Sequence, residues 1–517
     1  MSYISRPRIA PNSVEYREYQ VEMAEDCLKR NTLVVLPTGL GKTVVALLAA
    51  ASILETGKKV LILAPTKPLV EQHYKFFSSF LQGTTIGTMN GNMLPEKRSN
   101  VILENDVIVC TPQVVANDLE CQRYKLDDFG LIIYDEAHRA TGNYAYVSIA
   151  SCYRKGRTMG MTASPGSDVD RILEVCENLG IERADIHTED DVEVSPYVHD
   201  ISIERKEVDM PKDLVDVIRL LNVILDTYID GLRSLGLINP DWPPSTKQML
   251  AVGKNLQMRL NRGEKTALVF RGLVCQSACI KLFHAIGLAE TQGMTALRSY
   301  ILKIDEESMD NRGSKASKEI MATEEFKEIT KIVRTSRVEH PKISKVMGLV
   351  SQKINTDPDG KVIVFTQYRD TCDMLIDKLS RIPNAHVAKL IGQSKGGLKQ
   401  KEQVQLLEDF RGGKYNTIVS TSVGEEGLDI ASTDMVIFYE PIPSEIRTIQ
   451  RRGRTGRKNS GEVYVLVAKG TRDEVFEKTS KKKEELMKEH LDTINDILRK
   501  KSSTMSRKQL RLDPFLD

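Results

Sequence analysis

An α/β fold with two parallel-sheet domains and an all-helical insertion between them is what this sequence predicts, on three observations. Short apolar runs alternate with helical patterns up to about residue 200, and the same alternation resumes after about residue 340. Between the two stretches the strand signal disappears and apolar residues recur at helical spacing. Strands alternating with helices mark a parallel sheet, whose neighbouring strands need long crossover connections. A chain of 517 residues has room for three or so domains of about 150 residues each.

The runs at 32–36, 59–64, 106–110, 131–134 and 158–161 read as buried strands. From 213 to 235, Leu214, Val217, Ile218, Leu221, Ile224, Leu225 and Ile229 form one helical stripe. Asn239-Pro-Asp-Trp-Pro-Pro244 breaks it, 247–262, 266–289 and 296–304 again read as helices, and 310–315 reads as an exposed turn. Strands return at 361–365, 385–390, 416–420, 435–439 and 462–467. A charged helix follows, and 499–511 then carries six basic residues and no acidic one. The expected division is a first α/β domain over 1–205, the insertion over 206–337, a second α/β domain over 338–470, a C-terminal helix over 471–500 and a flexible tail over 501–517.

Composition removes several classes. With 73 Lys+Arg against 71 Asp+Glu, a net charge of +2 and 41% hydrophobic residues, the chain is neither globally disordered nor a uniformly basic nucleic-acid coat. Its eight cysteines are scattered, with no doubled C-x-x-C, and read as reduced thiols. Apolar runs at 33–36, 44–53 and 60–64 fall short of a membrane span, and Met1-Ser-Tyr-Ile-Ser-Arg6 lacks a signal peptide's apolar segment. A cytoplasmic, nucleoid-associated location and no membrane partner are expected.

Three constellations carry chemistry. Pro37-Thr38-Gly39-Leu40-Gly41-Lys42-Thr43 lies between a strand and a helix, the setting of a phosphate-binding loop. Its glycines let backbone N–H groups approach the phosphates, Lys42 would reach the β and γ phosphates of ATP, and Thr43 would ligate Mg²⁺. Asp135-Glu136-Ala137-His138 ends the strand at 131–134, at the sheet edge where open α/β sheets bind ligands. Asp135 would hold Mg²⁺ through its water shell, and Glu136 would polarise the attacking water. Far along the chain, Gln450-Arg451-Arg452-Gly453-Arg454-Thr455-Gly456-Arg457 offers Arg454 and Arg457, beside Gln450, as fingers from the second domain toward the γ-phosphate.

Taken in order with the motifs around them, these residues resemble the superfamily 2 helicases of the DEAH sequence class. The resemblance implies two RecA-like motor domains. Tyr16-Arg17-Glu18-Tyr19-Gln20 is similar to the adenine-reading Q motif, which implies ATP contacts for Arg17 and Gln20 beside those of Thr38, Gly39, Gly41, Lys42 and Thr43. Ala64-Pro65-Thr66-Lys67-Pro68-Leu69, Thr111-Pro112-Gln113, Phe365-Thr366-Gln367-Tyr368 and the stretch from Thr421 to Asp429 resemble motifs that grip a nucleic-acid backbone or couple it to ATP. They imply strand contacts at Pro65, Thr66, Thr111, Thr366, Gln367 and Thr421, and nucleotide contacts at Gly427 and Asp429. Thr162-Ala163-Ser164-Pro165 resembles the link between hydrolysis and strand movement, so Thr162 and Ser164, with His138, are implied as coupling residues. Hydroxyl and N–H donors at strand ends grip phosphates without reading bases. An aromatic content of 6% fits that grip better than base stacking.

Within the superfamily the chain resembles the archaeal Hef (helicase for fork-structured DNA) and Fanconi anaemia M-type translocase family, in a short form without the nuclease domain. The carrying stretches are 36–43, 63–70, 134–140 and 161–166, together with the helical insertion. The resemblance implies an ATP-driven DNA motor acting on branched or forked DNA, with an insertion that contacts nucleic acid through residues such as Lys247, Lys254, Arg259, Arg262, Lys265 and Arg271. Glu204-Arg205-Lys206 imitates the nuclease signature E-R-K-x-x-x-D, but position 210 is Met, so no nuclease activity is expected and a separate structure-specific nuclease is a candidate partner. Gln509-Leu510-Arg511-Leu512-Asp513-Pro514-Phe515-Leu516 resembles a sliding-clamp (PCNA) binding peptide, with Gln509 as polar anchor and Leu512, Phe515 and Leu516 as an apolar plug. Two competing readings are a double-stranded-RNA-dependent ATPase of RIG-I-like type, which shares the insertion, and a clamp-bound scaffold with weak ATPase.

Overall fold

The computed structural model describes residues 2–188, 191–197, 201–239, 241, 244–310, 313–392, 397–421, 433–441 and 461–512. Its first sheet holds β1 (Thr32–Val35), β2 (Lys59–Leu63), β3 (Ile86–Met89), β4 (Val107–Cys110), β5 (Phe129–Asp135), β6 (Arg157–Thr162) and β7 (Arg183–Ile186) in the order β3-β4-β2-β5-β6-β1-β7. Its second holds β8 (Ile201–Val208), β9 (Val362–Phe365), β10 (Val387–Leu390), β11 (Thr417–Ser420), β12 (Met435–Phe438) and β13 (Gly461–Ala468) in the order β10-β11-β9-β12-β13-β8. Among the described residues, every pairing within these two sheets is parallel. Central strands such as Thr-Leu-Val-Val and Val-Ile-Val-Phe are buried throughout because helices cover both faces.

The two-domain α/β architecture with a helical bundle between the sheets is therefore as expected, and all ten strands read from the sequence are present. β3, β7 and β8 were not anticipated. They are edge strands, partly open to solvent, and carry Gly, Thr, Arg, Asp and Glu where a central strand carries Val or Ile. β8 corrects the expected boundary at 205. It pairs with β13 over its whole length, Ile201 opposite Gly461 and Val208 opposite Ala468, so the chain has joined the second sheet before the insertion begins. The nuclease-like Glu204-Arg205-Lys206 is part of this exposed edge.

The insertion comprises helices Lys212–Ser234, Thr246–Asn261, Ala267–Thr291, Met294–Met309, Lys315–Met321 and Glu324–Thr335. Helix Ala267–Thr291 is long and apolar enough by length and composition to cross a membrane, but half of its most apolar window is buried inside the bundle. It packs its Cys275, Ala278, Cys279 and Leu282 into the same core as Leu221, Ile224 and Leu225 of Lys212–Ser234. Of the basic residues offered for nucleic-acid contact, Arg259 is paired with Glu264 and Arg271 with Glu319, so both carry a local counter-charge.

The last helix runs from Arg472 to Leu512, which corrects the expected end at 500: residues 501–512 continue it. It leaves the second sheet at a buried junction. The Asp473 carboxylate accepts the Ala468 N–H at 3.0 Å and pairs with Lys342, both side chains being fully buried. Arg472 pairs with Glu290 of the insertion. Further on, Met487, Ile494 and Leu498 enter a core of the first domain, and His490 Nδ1 donates to the Ser167 carbonyl at 2.9 Å. One helix thus touches both sheets' domains and the bundle.

His340 closes the same junction as a neutral ring. Its Nε2–H donates to the Glu290 carbonyl at 2.9 Å while Nδ1 accepts the Lys342 N–H at 3.3 Å. Burial, aided by the charge of Lys342, pushes its pKa down to about 3. The unfolded chain takes this proton at about pH 6.5, whereas the folded chain does not until about pH 3. Stability from this group is therefore complete above pH 6.5 and drains away as pH falls toward 3, by up to about 1.4 kcal/mol per pH unit. Denaturant titrations between pH 7 and 5 are expected to show a slope shallower by one proton in His340→Gln. An identical slope would show that His340 titrates alike in both states.

Candidate active site and nucleic-acid track

The phosphate loop joins β1 to helix Lys42–Glu55. Gly39 and Gly41 have φ of +92° and +90°, which L side chains rarely adopt. A Cβ on Gly41 would lie 2.4 Å from Gln20 Nε2. That closeness arises because Gln20 Nε2 and the Tyr19 hydroxyl both donate to the Leu40 carbonyl, at 2.9 and 2.8 Å. Gln20 and Tyr19 thus brace the loop from beneath, while Arg17 lies 4.4 Å from the centre of the Tyr197 ring. Lys42 Nζ donates to the Leu36 carbonyl at 2.8 Å.

Asp135 ends β5 at the same edge. Its Oδ2 lies 2.8 Å from His73 Nε2 and its Oδ1 accepts the Glu136 N–H at 3.0 Å. Burial alone would raise its pKa. His73, Lys42 and the Glu136 N–H outweigh that cost and hold the carboxyl below the usual carboxylate range. An ionised carboxylate at this edge and the Thr43 hydroxyl in the first turn of the helix after the loop are hard oxygen donors of the kind that suits Mg²⁺. Glu136 itself turns through a left-handed backbone at φ 49°, a conformation of the kind that concentrates at functional sites.

From Glu136 the polar contacts continue toward the second domain. His138 Nδ1 lies 3.4 Å from Glu136 Oε2 and 3.1 Å from Thr162 Oγ1. The Thr162 hydroxyl donates to the Ser164 carbonyl at 2.9 Å, and Ser164 Oγ reaches Met487 Sδ of the last helix at 3.0 Å. Burial, with Arg139 and Arg171 adding, pushes His138 down to about 4 and keeps it neutral. The three residues implied for coupling therefore form one chain of contacts.

Two helix N-termini stand over adjacent strands beside this site. Thr66 caps helix Lys67–Phe80 after β2, and Thr111 caps Pro112–Glu120 after β4, neither with a side-chain cap bond. The Thr66 hydroxyl is buried with no hydrogen-bond partner among the described residues. Open N–H groups and a waiting hydroxyl at positive helix ends suit phosphate oxygens. In the second domain the three residues implied for strand contact are held by protein groups. Thr366 is fully buried, its hydroxyl donates to Glu440 Oε1 at 3.1 Å, and the same carboxylate takes the Gln367 N–H. Gln367 Nε2 donates to the Pro441 carbonyl at 3.3 Å, and the Thr421 N–H to the Leu390 carbonyl at 3.3 Å. Gly427, Asp429, Gln450, Arg454 and Arg457 lie outside the described residues, as do Phe515, Leu516 and the side chains of Gln509 and Leu512.

A cavity of about 390 Å³ opens between the domains, lined by Thr43 and His73 on one side and by Leu407, Glu408 and Arg411 on the other. Tyr19, His73, Tyr146, Glu440 and Met487 were missed in the sequence. Tyr19 lay inside the 16–20 stretch without a role of its own, and His73 left a trace as a polar residue on the stripe formed with Val70 and Phe77.

The crystal structure of the Pyrococcus furiosus Hef helicase domain is similar to this chain with a TM-score of 0.71 and 41% identity, over 90% of this chain and 98% of that one. The chain belongs to the Hef family of superfamily 2 helicases. Three family models match in the order a Hef-type chain requires: "Type III restriction enzyme, res subunit" over 13–167, "Putative ATP-dependent RNA helicase, helical bundle" over 213–340 and "Helicase conserved C-terminal domain" over 341–459. "Putative ATP-dependent RNA helicase MJ1505" of Methanocaldococcus jannaschii is 39% identical over 96% of this chain, and "Fanconi anemia group M protein" of Gallus gallus 31% identical over 93%. "ATP-dependent DNA helicase mph1" of Neurospora crassa is 30% identical over 89%. The chain spans 64%, 26% and 41% of the lengths of these three relatives, respectively.

In this Hef-family loop, Gly41→Ala forces a side chain into a left-handed position, at roughly 1–2 kcal/mol, and against Gln20. Binding of a fluorescent ATP analogue is expected to weaken at least about tenfold. Unchanged affinity would show that the bracing by Gln20 is irrelevant to the nucleotide.

Proposed function

We propose that this chain is an ATP-driven DNA motor that remodels branched DNA such as stalled forks and junctions. The observation that carries the reading is a shared edge: an ionised Asp135 beside the phosphate loop, and two open helix N-termini over β2 and β4, all at the carboxyl end of one sheet. Hydrolysis at one end of that edge can then alter grip at the other. ATP would be held by the loop with Arg17, Gln20, Gly427 and Asp429 around it, and Mg²⁺ by Thr43 and Asp135. Glu136 would orient and deprotonate the attacking water, and Arg454 and Arg457 would complete the site when the domains close. Mg²⁺ supplies charge neutralisation at the phosphates when bound.

The choice of DNA follows the DNA helicase named among the relatives and the resemblance to fork-specific helicases. A cytoplasmic, nucleoid-associated location, a sliding-clamp contact through Gln509–Leu516 and a separate nuclease partner belong to the same reading. An RNA substrate is the second reading, favoured by the printed name of the Methanocaldococcus relative.

ATP turnover on forked DNA, linear duplex DNA, single strands and duplex RNA separates them. Forked DNA is expected to stimulate most, and a preference for duplex RNA would sink the DNA assignment. Glu136→Gln is expected to lose about 10²-fold or more in turnover while still binding nucleotide. For the tail, removal of residues 509–517 is expected to abolish binding to immobilised sliding clamp and to leave basal ATP turnover intact; undiminished clamp binding would refute the peptide assignment.

A further inference from the structure

We propose that His73 is a positioning residue that links strand binding at the start of helix Lys67–Phe80 to the metal-holding carboxylate of Asp135. The inference rests on the motor reading and deepens it by naming a connection between its two sites. His73 lies seven residues beyond Thr66, two helical turns or about 10 Å along the axis. At one end of this rigid rod is the buried, unpartnered Thr66 hydroxyl among open N–H groups. At the other, His73 Nε2 meets Asp135 Oδ2 at 2.8 Å, with side-chain exposures of 5% and 11%.

A packing role does not account for this ring. His73 Nδ1 is buried with no hydrogen-bond partner among the described residues. Leaving such an atom unpaired costs about 1–3 kcal/mol, which Leu or Phe at the same position on the Val70–Phe77 stripe would not incur. What His73 adds over an apolar residue is its hold on Asp135. The backbone is joined in parallel: the Tyr146 hydroxyl sits 3.1 Å from the Leu63 carbonyl and 2.6 Å from the Asp135 carbonyl. Leu63 leads directly into the Pro65-Thr66 turn. A shift of the helix start by a gripped phosphate is thereby carried to Asp135 through side chain and main chain alike.

A side chain that hydrogen-bonds a metal-binding carboxylate sets its orientation, and loss of such a partner typically weakens metal affinity about 10- to 100-fold. Linkage adds that if DNA tightens the metal–nucleotide site, that site tightens DNA by the same factor. The test uses the full chain with a non-hydrolysable ATP analogue, and Mn²⁺ as an EPR-visible probe, titrated with and without forked DNA. In the wild type, DNA is expected to tighten Mn²⁺ several-fold. His73→Leu is expected to weaken Mn²⁺ about tenfold and to abolish the DNA effect, with the DNA affinity of the nucleotide-free protein unchanged. His73→Gln, whose amide nitrogen reaches the same place, is expected to restore both. Wild-type values for His73→Leu, or weaker Mn²⁺ with an intact DNA effect, would overturn the proposal. Should His73→Leu not fold, His73→Asn, too short to reach Asp135, replaces it with the same expectations. A wild-type protein that binds forked DNA but whose Mn²⁺ affinity the DNA leaves unchanged would likewise overturn the proposal, whereas one that binds no forked DNA with or without nucleotide would overturn the motor reading.

Discussion

Everything at the site depends on parallel strands sharing one direction. Each strand delivers its following turn to the same edge, and each following helix begins there with its unsatisfied N–H groups facing outward. That single constraint places the phosphate loop after β1, the Thr66 turn after β2, the Thr111 turn after β4, the Asp135–Glu136 turn after β5 and the Thr162–Ser164 turn after β6 along one line. An antiparallel sheet would send half of them to the opposite end. Negative ligands are then attracted by geometry before any lysine or arginine is added.

The price of that arrangement is a carboxylate buried among anion-binding groups. Asp135 stays ionised only because His73, Lys42 and a backbone N–H surround it. The polar chain from Glu136 through His138 and Thr162 to Ser164 has the same character: each group is neutral or paired, and each touches the next. Its far end meets Met487 on a helix that began in the second domain. Motion between the domains and the state of the hydrolytic turn are consequently in physical contact.

The second domain shows the complementary case. Glu440 occupies the Thr366–Gln367 turn with a carboxylate, the same acceptor chemistry that a phosphate would bring. Around it Lys342, Asp473, His340, Arg472 and Glu290 tie the end of β13, the insertion and the last helix into one buried junction. Charges here are matched in pairs, which explains how a chain with 28% charged residues and a net charge of only +2 can still present uncompensated donors where phosphates bind.

What the sequence determined by itself was whatever is local. Apolar four-residue runs specify central strands because both of their faces are covered, and a glycine-rich turn before Lys42-Thr43 specifies its own backbone. Asp135 and Glu136 are adjacent, so their shared turn was legible from the strand ahead of them. Tertiary structure decided what depends on distant partners. Edge strands β3, β7 and β8 lack an apolar signature because one side of each is open to solvent. Nothing local in the sequence shows that the Thr366 hydroxyl meets Glu440, 74 positions away. His73 and Asp135 are 62 positions apart, and no pattern of spacing reveals that the helix after one strand leans its histidine onto the end of another.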